Sequence, residues 1–100
     1  MSYRNLEIVR VIVKAATDLD ISYAYDDLVF PDHTAFIIQY DDDNENNFFC
    51  YFHKDCNKKD QDKIFSNLTE ASNANNCTIS SKGSFYLEQK GEEVDIHFLN

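Results

Sequence analysis

The sequence predicts an α+β domain, with two helices packed on one face of an antiparallel sheet, in the order α-β-β-β-α-β-β-β over residues 1–100. Three observations carry this. Apolar residues recur at helical spacing in residues 3–17 and again after Asn57. Elsewhere the pattern switches to the two-residue alternation of strands. Two Gly and one Pro interrupt little, so most of the chain belongs to regular elements. A single domain of this length buries roughly 60–70% of the surface its unfolded chain exposes. Eight Phe and six Tyr supply much of that core.

Residues 3–17 read as the first helix. Tyr3, Glu7, Arg10, Lys14 and Asp18 mark a polar stripe, and apolar residues such as Val9, Ile12 and Val13 cover the remainder. That arc is wider than one sheet face needs, so either the domain wraps the helix or Ile8 and Val11 meet a partner. "DISYAYDD" alternates Ile21, Tyr23 and Tyr25 against Ser22 and Ala24, as a half-buried strand does. "LVFPDH" is a turn or strand end, because Pro31 cannot donate to a ladder. "TAFIIQY" and "NFFCYFH" are strands apolar on both faces: Phe36, Ile38 and Tyr40 oppose Ala35 and Ile37, and Phe49 and Tyr51 oppose Phe48, Cys50 and Phe52. The second helix starts at Asn57, whose side chain caps it, carries Ile64, Phe65, Leu68 and Ala71 as its stripe, and frays in "SNANN". "CTIS", "SFYLEQ" and "EVDIHFL" follow as strands, with Lys82–Gly83 and Lys90–Gly91 as turns. In the last strand Val94, Ile96 and Phe98 face inward.

Charge narrows the function. Nine basic against eighteen acidic residues give a net charge of −9. The densest basic cluster, "HKDCNKK", is broken by Asp55 and followed by Asp60 and Asp62, so direct nucleic-acid binding is not expected. An acidic field instead attracts basic protein surfaces and speeds association with them. The N-terminal apolar stretch carries Glu7, Arg10 and Lys14, unlike a signal peptide, and no run approaches the length of a membrane span. The expectation is a cytoplasmic protein, away from membranes, with its three cysteines as free thiols.

Catalytic and metal motifs fail at their most specific positions. A calcium loop opening at Asp41 has Asn46 where glycine is required and Phe52 where the bidentate Glu belongs. Cys50 and His53 in "CYFHKDC" point to opposite faces of a strand, which separates them as zinc ligands. No glycine-rich elbow adjoins Cys50 to make it a nucleophile, and the acid that should follow a nuclease-like "PDH" is replaced by Phe52. Neither an enzyme, a cofactor nor a metal is expected.

The segments "ISYAYDD", "TAFIIQYDDDNENNFFCYFH" and "IFSNLTEASNANNCTISSKGSFYLEQKGEEVDIHF" resemble the strand–strand–acidic turn–strand and helix–hairpin of the type III secretion chaperone-like fold, which includes the YbjN-like proteins. The chain departs from it by closing on a strand, "VDIHFLN", where that fold ends in a helix. The resemblance implies a small acidic dimer that binds other proteins or masks their segments, without catalytic residues.

What remains is binding. The leading expectation is a non-enzymatic inhibitor, immunity or anti-defence factor that covers a basic, nucleic-acid-handling surface of another protein. Asp41, Asp42, Asp43 and Glu45 would present carboxylates as a phosphate backbone does, with Tyr40 as an aromatic anchor and Asp26, Asp27 and Asp32 extending the patch. The alternative is a homodimeric chaperone-like adaptor that shelters a client segment through Ile8 and Val11.

Overall fold

The computed structural model describes residues 5–99, so Tyr3 of the polar stripe lies outside the described residues. The chain forms α1 (Leu6–Thr17), β1 (Ile21–Tyr25), β2 (Leu28–Pro31), a short 3-10 turn (Asp32–Thr34), β3 (Phe36–Tyr40), β4 (Asn47–His53), α2 (Lys58–Ala74), β5 (Thr78–Lys90) and β6 (Glu93–Leu99). It is an α+β fold with two helices on one face of a six-stranded, mostly antiparallel sheet in the order β1-β2-β3-β4-β5-β6. Only β4 and β5 run parallel, because α2 carries the chain back to the end where β4 began.

Both helices begin at side-chain caps. Asn5 accepts the Ile8 N–H at 3.3 Å, and Asn57 accepts the Asp60 N–H at 2.8 Å. α1 stops where Asp18 turns left-handed at φ 64° and donates its N–H to the Lys14 carbonyl. α2 continues through Ser72–Ala74 instead of fraying there, because Ala71 and Ser72 are buried and tertiary packing outweighs the weak propensity of the Asn-rich end.

"LVFP" is a strand in its own right, with Pro31 as its last residue. "CTIS" and "SFYLEQ" run on as the single strand β5. Lys82–Gly83 is a bulge within it: the register against β4 slips between Cys50 and Tyr51, and Gly83 takes φ 151°. A bulge bends its strand and increases the twist, which lets β5 leave the plane of β4.

The main core lies on the helix side, where Val9, Ile12, Val13 and Leu68 cover Phe36, Ile38 and Cys50. Leu68 is wholly buried, a contribution of about 1.5–3 kcal/mol for a side chain of this size. The opposite face holds a smaller cluster of Leu28, Ile37, Tyr51 and Phe85. Among the described residues no helix covers that second face. Part of it is covered by β6, whose Phe98 ring sits 4.5 Å from the Tyr51 ring.

Candidate functional site

The predicted acidic residues divide between the two ends of the sheet. β1 and β2 are joined by a turn at Asp26–Asp27, where Asp26 adopts φ 54°. β2 pairs with β3 through Leu28↔Gln39, which brings this turn to the end where β3 enters the loop Asp41–Asn46. The two tips are bonded neighbours: Tyr40 donates its N–H to the Asp27 carbonyl at 2.9 Å. Asp32 follows Pro31 at the far end of β2, where Ser22 donates its hydroxyl to the Asp32 carboxylate. Five of the predicted carboxylates beyond Asp41 are thus Asp26, Asp27, Asp42, Asp43 and Glu45 at one end, and Asp32 is outside that group.

Asp41 differs from the rest of its run. Its carboxylate accepts the Asp43 N–H and the Asn47 side-chain amide, each at 2.9 Å. Those bonds, from Asn47 first and the Asp43 backbone second, hold its pKa below the ordinary carboxylate value, with a smaller contribution from Lys82. Thr78 ties the loop to β5, donating its hydroxyl to Asn47 at 2.7 Å and its N–H to the Asn46 carbonyl at 2.9 Å. The loop is therefore pre-shaped, with Asp42, Asp43 and Glu45 on its exposed outside. Tyr40 is half-buried on the helix side, edge-on to Phe48 at 6.0 Å.

Of the two helix residues, Ile8 packs against the main core and Val11 is exposed. Val11 lies beside Arg10, Lys14, Ala15 and Asp20.

The helix-free side holds a groove of about 1040 Å³. Its walls come from opposite ends of the strand order: Tyr23, Tyr25 and Phe30 from β1 and β2, and Leu87, Val94 and Ile96 from β5 and β6. The bent sheet thus brings its two edge strands to the same hollow. Tyr23 stacks on Phe30 at 5.0 Å. Of the groove's lining residues, Tyr25 and Val94 remain 67% and 55% exposed. Asp26, Asp27, Glu93 and Asp95 also line the groove, and no Lys or Arg does. Asp27 is held in place by Gln39, which donates to it at 2.9 Å while accepting the Tyr51 hydroxyl at 3.0 Å. The sequence pattern has Val94, Ile96 and Phe98 facing inward; Ile96 does pack on the second cluster, but Val94 and Phe98 are exposed, because among the described residues no helix closes over this face.

Chemistry is sparse elsewhere. Cys50 is buried and its thiol pKa is pushed far up by desolvation; burial raises Cys56 and Cys77 as well, so all three are held as thiols. Cys50 belongs to the helix-side core, whereas His53 stands edge-on to Phe85 of the other face. Glu88, Asp95 and His97 bring one ligand atom each within 4.8 Å, a grouping readable in retrospect from the Lys90–Gly91 turn that sets Glu88 opposite Asp95. The Lys90 ammonium stands 3.2 Å from Asp95 and 3.7 Å from Glu88, a single cation beside the two carboxylates.

Among the described residues no helix is long and apolar enough to cross a membrane. No family model, no curated protein and no solved structure matches the chain.

Proposed function

We propose that this chain is a non-enzymatic protein-binding protein of the cytoplasm, an inhibitor or immunity type of factor whose acidic sheet end covers a basic surface of its target. The observation that supports this best is the adjacency of the Asp26–Asp27 turn and the Asp41–Asn46 loop, joined by the Tyr40–Asp27 backbone bond. The hydrogen bonds from Asp43 and Asn47 to Asp41 fix the loop in advance, so little ordering entropy opposes binding through its outer carboxylates. Such a surface meets a nucleic-acid-handling protein where its ligand's phosphates would lie, and its attraction is screened over about 8–10 Å near physiological ionic strength. A second reading, an adaptor that shelters a segment of a client protein, draws on the open aromatic groove rather than on α1.

The test is affinity capture at graded salt with wild type and with Asp42→Asn/Asp43→Asn/Glu45→Gln, which spares the loop-holding Asp41. Basic partners retained by wild type at low salt, and lost both in the variant and at high salt, are the expected result. A partner list indifferent to both changes rejects the electrostatic reading.

A further inference from the structure

The two edges of the sheet are built differently. β1, at one edge, is five residues long, and its register against β2 slips between Ile21 and Tyr23, an irregularity of the kind that turns an edge away from further pairing. β6, at the other edge, runs seven residues in unbroken register with β5 and contains no Lys, Pro or Gly. None of its residues is buried, and its outer side pairs with no strand among the described residues. Such an edge offers a full row of N–H and C=O groups to an incoming strand. We infer that β6 is the contact between two copies of this chain, which join their sheets edge to edge, antiparallel, about a two-fold axis at Ile96.

The strand complements itself in that register. An axis at Ile96, the middle residue of β6, pairs all seven residues with all seven of the partner's, as a symmetric interface requires. Residues directly opposite each other in an antiparallel ladder share a face of the sheet, so Val94 meets the partner's Phe98 and Asp95 meets the partner's His97. Val94 and Phe98 are 55% and 43% exposed in the single chain, and each covers the open side of the other. Asp95 gives Oδ2 to Lys90, and His97 gives Nε2 to Glu88. The pair across the axis therefore falls to Asp95 Oδ1 and His97 Nδ1, and both contacts within the chain are kept. The acids of β6 decide the register. With the axis at Ile96, Glu93 stands opposite the partner's Leu99 and no two like charges are opposed; an axis at Asp95 would set that carboxylate against its own copy. Each copy carries −9, so salt screens their repulsion and favours the pair, the opposite of its effect on binding through the acidic loop.

The test is sedimentation of the full chain from dilute to concentrated solution at low and high salt, with amide hydrogen exchange at both ends of the concentration range. Wild type is expected to pass from the mass of one chain to that of two as concentration and salt rise, with exchange slowing in Glu93–Leu99 and not in Ile21–Tyr25. Val94→Glu, at an exposed position, should weaken pairing by roughly tenfold. Leu99→Lys should tighten it by roughly fivefold, since each of the two new cations faces the partner's Glu93, and Leu99→Glu should weaken it by a similar factor. In a Glu93→Lys background the two Leu99 responses should exchange sign, which neither misfolding nor a change in net charge produces. A single-chain mass at every concentration overturns the inference. So does a pair that Val94→Glu leaves intact, protection confined to β1, weakening by salt, or Leu99 responses that do not reverse with Glu93→Lys.

Discussion

The Phe98 ring lies 4.5 Å from the Tyr51 ring, tilted by 48°, and this contact fastens the final strand over the face opposite the helices. Tyr51 is fixed in turn by its hydroxyl bond to Gln39, so one aromatic pair links β6 to the middle of the sheet. Phe98 is 43% exposed, which places its loss well below that of a fully buried ring. Phe98→Ala is expected to cost about 1–2 kcal/mol. Urea unfolding should report that change, and hydrogen exchange should accelerate selectively in Glu93–Leu99. Uniform acceleration across the sheet would show that β6 is part of the global unit rather than a strap on it.

Ser72 offers a test with the opposite sign. It is wholly buried on α2, and its hydroxyl has no hydrogen-bond partner among the described residues. A buried unsatisfied polar group costs roughly 1–3 kcal/mol, and alanine is the better helix former. Ser72→Ala should therefore stabilise the fold by about 0.5–1 kcal/mol, raising the melting temperature by several degrees. A lowered melting temperature would mean that the hydroxyl is satisfied in solution.

The two α1 residues are expected to part ways. Ile8 is half-buried against the main core, so Ile8→Asp loses apolar packing and partly desolvates a charge, and should cost about 1–2 kcal/mol. Val11 is exposed among Arg10, Lys14 and Asp20, and Val11→Asp should change stability by no more than about 0.5 kcal/mol. Sedimentation of Val11→Asp beside wild type is expected to give the same mass, since this side chain stands in a charged setting. A halved mass for the variant would assign α1 to a dimer interface.

Much of the scaffold was legible because local chemistry and packing agree there. Asn57 is both the residue whose type caps helices and the residue that accepts the Asp60 N–H. Phe36 and Ile38 face the helices and Ile37 the other side, as strand alternation requires. Gly83 was harder, since a glycine inside a strand pattern signals a turn and a bulge alike, and only pairing with β4 decides for the bulge. Val94 of β6 and Tyr25 of β1 line one groove, although the two strands stand at opposite ends of the strand order. Nor does a run of three aspartates say which one folds inward. That follows from where Asn47 stands relative to Asp41 in the finished loop.

Asp41 finally yields a pH dependence whose sign can be worked out. Hydrogen bonds from Asn47 and from the Asp43 backbone favour its ionised form, so its folded pKa lies below the unfolded one. A depressed carboxylate contributes stability that is fully present above the unfolded pKa and is lost as pH falls through the folded pKa. The loop should therefore be indifferent to pH near neutrality and loosen only in acid, below the ordinary carboxylate value of 3.8. Chemical shifts of the Asp43 and Asn47 amide protons, followed through an acid titration, read this directly. Asp41→Asn retains an acceptor for one of the two bonds but lacks the charge, so it should loosen the loop at neutral pH and flatten the acid transition. Asp43→Asn should leave both amide signals in place, because it is the backbone of Asp43 that binds Asp41. Equal responses from the two variants would mean that the loop answers to net charge alone, and that Asp41 holds no special place in it.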